Sequence, residues 1–144
     1  MKFLSIFLIF VFLLSCTTSA QEKKNPIEGN WELILKKAVY PDTTVTLDIS
    51  NQRELKIITA SHFVFVMQSA DGTEFIGAGG GRYTYEDNTY TETYEFSSFL
   101  KSLPIGKSIE FSARFEGDKF YQTGMLKDNS GAEYKMENIF RRVK

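Results

Sequence analysis

Cysteine and histidine are almost absent from this sequence: its 144 residues include one cysteine, Cys16, and one histidine, His62. A single cysteine cannot form an internal disulfide, and the chain after Cys16 has no thiol that could act as a nucleophile or metal ligand. A metal site would have to combine His62 with carboxylates alone, and no second ligand stands at i+2 or i+4 from it. We therefore expect no metal and no cofactor, and a fold stabilised by its apolar core.

Signatures of catalysis and of nucleic-acid binding are also missing. The chain has no Gly-x-Ser-x-Gly elbow, and no order of Ser, His and Asp suggests a catalytic triad. The 17 Lys and Arg are balanced by 18 Asp and Glu, and basic residues never form a run longer than two. Nucleic-acid-binding proteins concentrate positive charge instead. We expect neither an enzyme, with no catalytic residues to assign, nor a nucleic-acid partner.

The one long apolar run lies at the start of the chain. Phe3 to Leu14 follows Lys2 and is interrupted only by Ser5. It is too short to span a bilayer as a helix, which needs about 20 residues, and it is typical of the apolar region of a signal peptide. The protein is therefore predicted to be exported to the cell envelope or secreted.

Two processing sites follow this run, and they predict different mature proteins. Residues 13–16 resemble the lipobox of bacterial lipoproteins, in which the cysteine, here Cys16, is acylated and becomes the new N-terminus. Thr18-Ser19-Ala20 instead indicates ordinary cleavage after Ala20. The first predicts a signal peptide over 1–16 and a lipid anchor in the membrane, and the second an exported protein without an anchor.

The rest of the chain predicts one all-β domain. Residues 17–26 are polar and indicate a flexible tether, whereas β-branched and aromatic residues dominate 27–144. Alternating segments predict strands at 30–38, 44–49, 53–60, 62–69, 74–86, 89–96, 107–116, 119–127 and 133–142. Short turns between them indicate an antiparallel up-and-down barrel of about eight strands, with a two-sheet sandwich as the alternative. Residues 97–103 are predicted to form a short helical turn or lid-like loop, ended by Pro104.

Alternation also assigns side chains to the two faces of each strand. One parity of four strands is predicted to point inward: Trp31, Leu33 and Leu35; Tyr90, Glu92, Tyr94 and Phe96; Ile109, Phe111, Ala113 and Phe115; and Tyr134, Met136, Asn138, Phe140 and Arg142. Strand 62–69 is apolar on both parities, so its faces stay unassigned.

A tryptophan motif at the first strand resembles the lipocalin-like (calycin) superfamily. Gly29-Asn30-Trp31 matches its G-x-W motif, and Phe140-Arg141-Arg142 ends the last strand where the family places an arginine over the tryptophan. More narrowly, the chain is similar to small bacterial envelope proteins of lipocalin-like fold. The resemblance implies that one end of the barrel is closed by Gly29, Trp31 and an arginine. That arginine is either Arg141 or Arg142, and parity favours Arg142. The resemblance also implies a small hydrophobic ligand inside.

The candidate ligand site is the aromatic face around Glu92. Glu92 shares its parity with tyrosines and is therefore predicted to point inward. A carboxylate inside a barrel must be hydrated or paired with a cation, and Arg82 and Arg142 are the candidate cations. Glycines in the run 77–81 are expected to form a bend or bulge, and Gly79 to Gly81 to thin the wall and enlarge the cavity. The predicted site is Tyr83, Tyr85, Tyr90, Glu92, Tyr94 and Phe111.

The leading hypothesis from this site is that the protein is a monomeric binding module of the cell envelope, which holds a small, partly hydrophobic molecule. The alternative is a ligand-free structural or interaction domain, whose barrel is filled by side chains such as Phe111, Phe115, Phe140 and Leu33.

The lipobox generates the first prediction. Replacing Cys16 with serine should block acylation and processing at that residue, because serine has no thiol to acylate. Intact-mass measurement of the membrane fraction checks this. A wild-type N-terminus at Gln21 without a lipid mass would contradict the lipoprotein interpretation.

Overall fold

The computed structural model describes residues 25–100, 102–128 and 130–144, which form one nine-stranded antiparallel sheet. The predicted signal peptide, Cys16 and the tether up to residue 24 lie outside the described residues. The strands are β1 (Gly29–Val39), β2 (Thr44–Thr46), β3 (Gln52–Ile58), β4 (His62–Ser69), β5 (Phe75–Glu86), β6 (Thr89–Ser97), β7 (Ser108–Glu116), β8 (Lys119–Lys127) and β9 (Glu133–Val143).

The sheet closes into a barrel because β1 pairs with strands on both sides. It pairs with β9 along its length, with β3 over Gly29–Glu32 and with the short β2 over Lys37–Val39. The remaining strands follow in chain order from β3 to β9, so eight strands form the wall and β2 only extends its rim. The prediction of an all-β, eight-stranded, up-and-down barrel is confirmed, and the two-sheet alternative is wrong.

The segment after β6 differs slightly from its prediction. β6 continues through Ser97, and the next residues form turns in which the Leu103 N–H donates to the Phe99 carbonyl over 2.7 Å. The Ser97 hydroxyl accepts the Phe99 N–H at 2.9 Å, as a capping residue would. One hydrogen-bonded turn therefore stands where a short helical turn was predicted, and none of the described residues belongs to a helix. Within those residues, no helix is long and apolar enough to cross a membrane.

Two bulges overturn two of the inward assignments. The pairing of β1 with β9 shifts between Leu33 and Leu35, so Leu35 lies opposite Ile139 on the outer face and Lys36 takes the inward position. The pairing of β5 with β6 shifts in the same way at Gly80 and Gly81, which turns Phe96 outward and leaves 47% of it exposed. The strict period of two breaks at each extra residue. The bend or bulge expected in the glycine run is confirmed by the shift at Gly80 and Gly81, whereas no sequence pattern predicted the shift between Leu33 and Leu35.

The closed end of the barrel is a packed aromatic core around Trp31. The indole is 1% exposed, lies 5.4 Å from the Phe120 ring and 5.9 Å from the Phe115 ring, and donates its N–H to the Ile27 carbonyl. The Arg142 guanidinium covers the other side at 4.1 Å from the ring centroid. The parity assignment of Arg142 over Arg141 is therefore confirmed.

Gly29 is required by the same arrangement. Its φ of +144° is one that L side chains rarely adopt, and a Cβ there would collide with the Arg142 guanidinium. The guanidinium also donates to the carbonyls of Glu28 at 2.8 Å and Pro26 at 2.9 Å, so it ties the segment before β1 to the end of β9. The G-x-W motif and Arg142 thus form one structural unit.

This unit predicts unequal effects at two neighbouring arginines. Trp31→Ala should lower the free energy of unfolding by about 3–5 kcal/mol, as large aromatic truncations in cores do. Arg142→Ala should cost about 1–3 kcal/mol, because it removes a cation–π contact and two charged hydrogen bonds. Arg141→Ala should cost less than about 1 kcal/mol, since Arg141 makes only an exposed ion pair with Glu32. Urea unfolding of the three variants measures these values, and equal costs at the two arginines would contradict the stacking role.

Candidate functional site

The other half of the barrel encloses a cavity of about 650 Å³. It opens at the end opposite Trp31, where the rim is formed by Phe99, Ser102, Leu103, Pro104, Lys107 and Asp128. The apolar residues of its walls include Phe65, Met67, Phe111, Leu126 and Met136. Its floor is polar and consists of Glu54, Lys56, Glu92, Gln122 and Asn138, all nine-tenths or more buried.

A buried ion pair forms the centre of this floor. The Lys56 Nζ lies 2.6 Å from the Glu92 Oε1 and donates to the Gln122 Oε1 at 3.0 Å. The Gln122 amide donates to the same Glu92 oxygen at 3.4 Å, and the Tyr94 hydroxyl donates to the Glu92 Oε2 at 2.6 Å. Each carboxylate oxygen of Glu92 therefore has a donor, as a buried carboxylate requires.

The ammonium of Lys56 rests on the aromatic core below it. It lies 5.1 Å from the centroid of the Phe140 ring and less than 6 Å from those of Phe63 and Tyr90. Cation–π attraction of this kind is strengthened where water is excluded. The ion pair thus marks the boundary between the filled and the open half of the barrel.

Burial, together with the charge of Glu92, favours the protonated form of the neighbouring tyrosines. Burial raises the pKa of Tyr94 and of Tyr90, and the nearby Glu92 carboxylate raises both further. Tyr94 uses its proton in the hydrogen bond to Glu92. Tyr94 is accordingly a fixed donor at the cavity floor.

Glu54 and Asn138 lie on the same floor but outside this network. Burial raises the pKa of the Glu54 carboxyl, and the charges of Lys56 and Lys36 only partly oppose that rise. Within the part of the chain that the structure describes, the buried Oδ1 of Asn138 has no hydrogen-bond partner. These two side chains give the cavity polar groups that the protein itself leaves unused.

The predicted ligand-binding residues divide between the two halves of the barrel. Glu92, Tyr94 and Phe111 line the cavity. Tyr90 is completely buried in the aromatic layer that supports Lys56, and it does not reach the cavity.

Tyr83 and Tyr85 were wrongly placed in that site. They point inward at the closed end, where their hydroxyls donate to the Thr59 carbonyl at 2.7 Å and to the Asn88 side chain at 3.2 Å. Both tyrosines lie near the end of β5, close to the closed end of the barrel. The prediction missed this because alternation shows which face a residue is on but not where it lies along the barrel axis.

The cation that neutralises Glu92 is Lys56, and neither of the predicted partners, Arg82 and Arg142, reaches it. Arg82 is exposed and pairs with Glu95 at 3.0 Å, and Arg142 stacks on Trp31. Sequence reasoning missed Lys56 because β3 carries apolar residues on both parities. Its Leu55 and Ile57 lie on the outer parity, where Ile57 is 46% exposed, while Glu54 and Lys56 point inward.

The glycine-rich part of β5 accommodates aromatic rings and does not widen the cavity as predicted. A Cβ on Gly79 would approach the Phe65 ring to 2.6 Å, and one on Gly77 would collide with the Phe99 ring. Phe99 reaches this position from the loop at the rim and stacks on Phe65 at 6.1 Å. The absent side chains therefore make room for Phe65 and Phe99, which cover this wall.

The wall is incomplete between β7 and β8. Their ladder joins Ser112–Glu116 to Lys119–Thr123 and stops there, so the upper parts of both strands do not pair with each other. A second, shallower cavity of about 560 Å³ lies along this gap and shares Ile109, Phe111 and Leu126 with the first. The main cavity thus adjoins a gap in the side wall besides its open end.

The ion pair predicts strong coupling between its two members. Lys56→Met and Glu92→Gln should each destabilise the fold by about 3–5 kcal/mol, because each leaves a buried charge without its partner. The double variant Lys56→Met/Glu92→Gln should lose clearly less than the sum of the two. A double-mutant cycle by urea unfolding measures this, and additive costs would show that the two charges do not depend on each other.

Comparisons with known proteins place the chain in a family. No curated protein matches it. A crystal structure of an uncharacterized protein from Bacteroides eggerthii has 18% identity and a TM-score of 0.49, over 81% of this chain and 98% of that one. A variant of the vaccine antigen transferrin binding protein B from Haemophilus parasuis has 12% identity and a TM-score of 0.40, over 83% of this chain and 26% of that one. Residues 26–144 match the family described as Domain of unknown function (DUF4488), and the chain therefore belongs to that family.

Proposed function

We propose that this barrel is a binding module of the cell envelope that holds one small, partly hydrophobic molecule in its cavity. The observation that carries the proposal is the cavity of about 650 Å³ inside the open half of the barrel. Ligand sites in proteins typically measure about 300–1,000 Å³ and combine apolar walls with a few placed polar groups. This cavity has both features.

The division of the barrel into two halves supports binding over a purely structural role. The closed half is filled by Trp31, Phe63, Phe120 and Phe140, each at most 1% exposed. In the open half, apolar residues of similar volume could replace the buried ion pair without loss of stability. A role in orienting a bound molecule therefore explains the charged groups in the open half better than a role in stability does.

The resemblance to lipocalin-like proteins adds to this proposal. The closed up-and-down barrel and the stacking of Arg142 on Trp31 at 4.1 Å agree with that resemblance. The predicted signal peptide and the lipobox-like residues before Cys16 support the proposed envelope location. In this proposal the protein binds its ligand and performs no chemistry on it.

Native mass spectrometry of the purified protein tests the proposal with a matched pair of variants. Leu126 points into the cavity and Met125, next to it on β8, is 61% exposed on the outer face. Leu126→Trp should fill the mouth and reduce the amount of any co-purifying small molecule, whereas Met125→Trp should leave it unchanged. The affinity for the hydrophobic fluorophore phenylnaphthylamine should fall by about tenfold or more in Leu126→Trp and stay unchanged in Met125→Trp.

Two results would contradict the proposal. One is wild-type protein that carries no small molecule and does not bind the fluorophore, which would favour a ligand-free structural domain. The other is equal binding by both variants, because an external site would be unaffected by a side chain that fills the cavity.

A further inference from the structure

Two side chains on the cavity floor are buried without the partners that their chemistry requires. Glu54 is 8% exposed and Asn138 is 6% exposed. Among the described residues, the Glu54 carboxyl makes no hydrogen bond or ion pair, and the Asn138 Oδ1 has no hydrogen-bond partner. Both residues line the cavity. The other three polar side chains of the floor, Lys56, Glu92 and Gln122, are bonded to one another.

Such groups are costly to keep in a protein core. A buried polar group without a hydrogen bond loses its hydration and gains nothing in return, so these groups are nearly always satisfied. A molecule in the cavity that presents a hydrogen-bonding group to the floor would satisfy both. Glu54 and Asn138 are therefore the anchoring pair that a ligand of this cavity would use.

The charges around this pair indicate what the ligand's polar group is. Lys56 and Glu92 neutralise each other at 2.6 Å, and the charges acting on Glu54 are those of Lys56, Lys36 and Glu92. Lys36 also lines the cavity, and its charge is opposite to that of Glu54, on which it acts. The two lysines and two glutamates of this region balance each other, so a charged ligand group at this depth would add a charge that nothing offsets. A hydroxyl group can both donate and accept a hydrogen bond, so it fits a carboxyl in either protonation state and either end of an amide.

We infer that Glu54 and Asn138 bind the polar end of the ligand, and that this end is a neutral hydroxyl-type group on an otherwise apolar molecule. The apolar part then lies against Phe65, Met67 and Met136 in the wall. The inference rests on the proposed binding function and specifies its ligand class. The raised pKa of Glu54 agrees with it, because a neutral carboxyl offers an O–H donor as well as an acceptor.

Three probes with the same chain and different polar ends test the inference on the wild-type protein. Decanol, decanoate and decylamine are each titrated at neutral pH against bound phenylnaphthylamine, whose displacement reports their affinity. Decanol should bind about tenfold more tightly than either charged probe, the ratio that corresponds to 1.4 kcal/mol. Equal or tighter binding of decanoate or decylamine would overturn the inference.

Variants of the anchoring pair connect this preference to the two residues. Glu54→Met and Asn138→Leu remove the hydrogen-bonding groups and should each weaken decanol binding by about tenfold. Glu54→Gln keeps those groups and should bind decanol within about threefold of wild type. Glu86→Met, at an exposed position near the closed end, is the matched control and should bind like wild type. Thermal unfolding of each variant checks that it is folded.

The outcomes separate this inference from the function on which it rests. If the fluorophore binds in the cavity but Glu54→Met and Asn138→Leu do not affect decanol, the anchoring role is wrong and the binding function stands. If neither the fluorophore nor any of the three probes binds to wild-type protein, both are wrong.

Discussion

The pair formed by Lys56 and Glu92 determines how the inside of this barrel is organised. Lys56 lies on β3, Glu92 on β6 and their shared partner Gln122 on β8, so three strands that are not neighbours are joined across the lumen. On the Trp31 side of the pair the lumen is filled largely by aromatic side chains, and the cavity lies on the other side. The interior of an eight-stranded barrel is just wide enough for side chains to fill it or for one small ligand. In this barrel the ion pair lies where the filled half meets the cavity.

The pair is stable because each of its charges is compensated several times. Two charges removed from water cost several kcal/mol each, and their attraction offsets this only when the remaining polar atoms are also bonded. Glu92 receives hydrogen bonds on both oxygens, and the Lys56 ammonium has Gln122 beside it and the Phe140 ring below it. Truncating Tyr94 or Gln122 would therefore weaken the pair without touching either charge.

The sequence predicted the strands and the closed end of the barrel better than it predicted the cavity. Strand positions and turns follow from local residue types, and the stacking of Arg142 on Trp31 follows from parity together with a recognised motif. Parity failed at Leu35 and Phe96, because an extra residue in one strand reverses every later assignment. The glycine run was a local sign of the irregularity beside Phe96, but its effect on the facing strand could not be read from the pattern. Parity assigned Glu92 correctly inward but could not find Lys56, which lies 36 residues away and meets it only after the barrel closes.

The strand that sequence patterns describe least well is the one that carries the site. β3 has apolar residues on both parities, and the fold turns Glu54 and Lys56 inward while the apolar Leu55 and Ile57 lie on the outer parity. Burial of apolar area alone would favour the opposite register, since a shift by one residue exchanges the two faces. The observed register holds because Ile58 fills the closed end at 3% exposure and because Glu92 and Gln122 receive Lys56. A local conflict that is resolved by a specific polar contact is characteristic of functional sites, where proteins depart from the pattern that stability alone would select. In this barrel the departure at β3 places both the ion pair and the unpartnered Glu54 on the floor of the cavity.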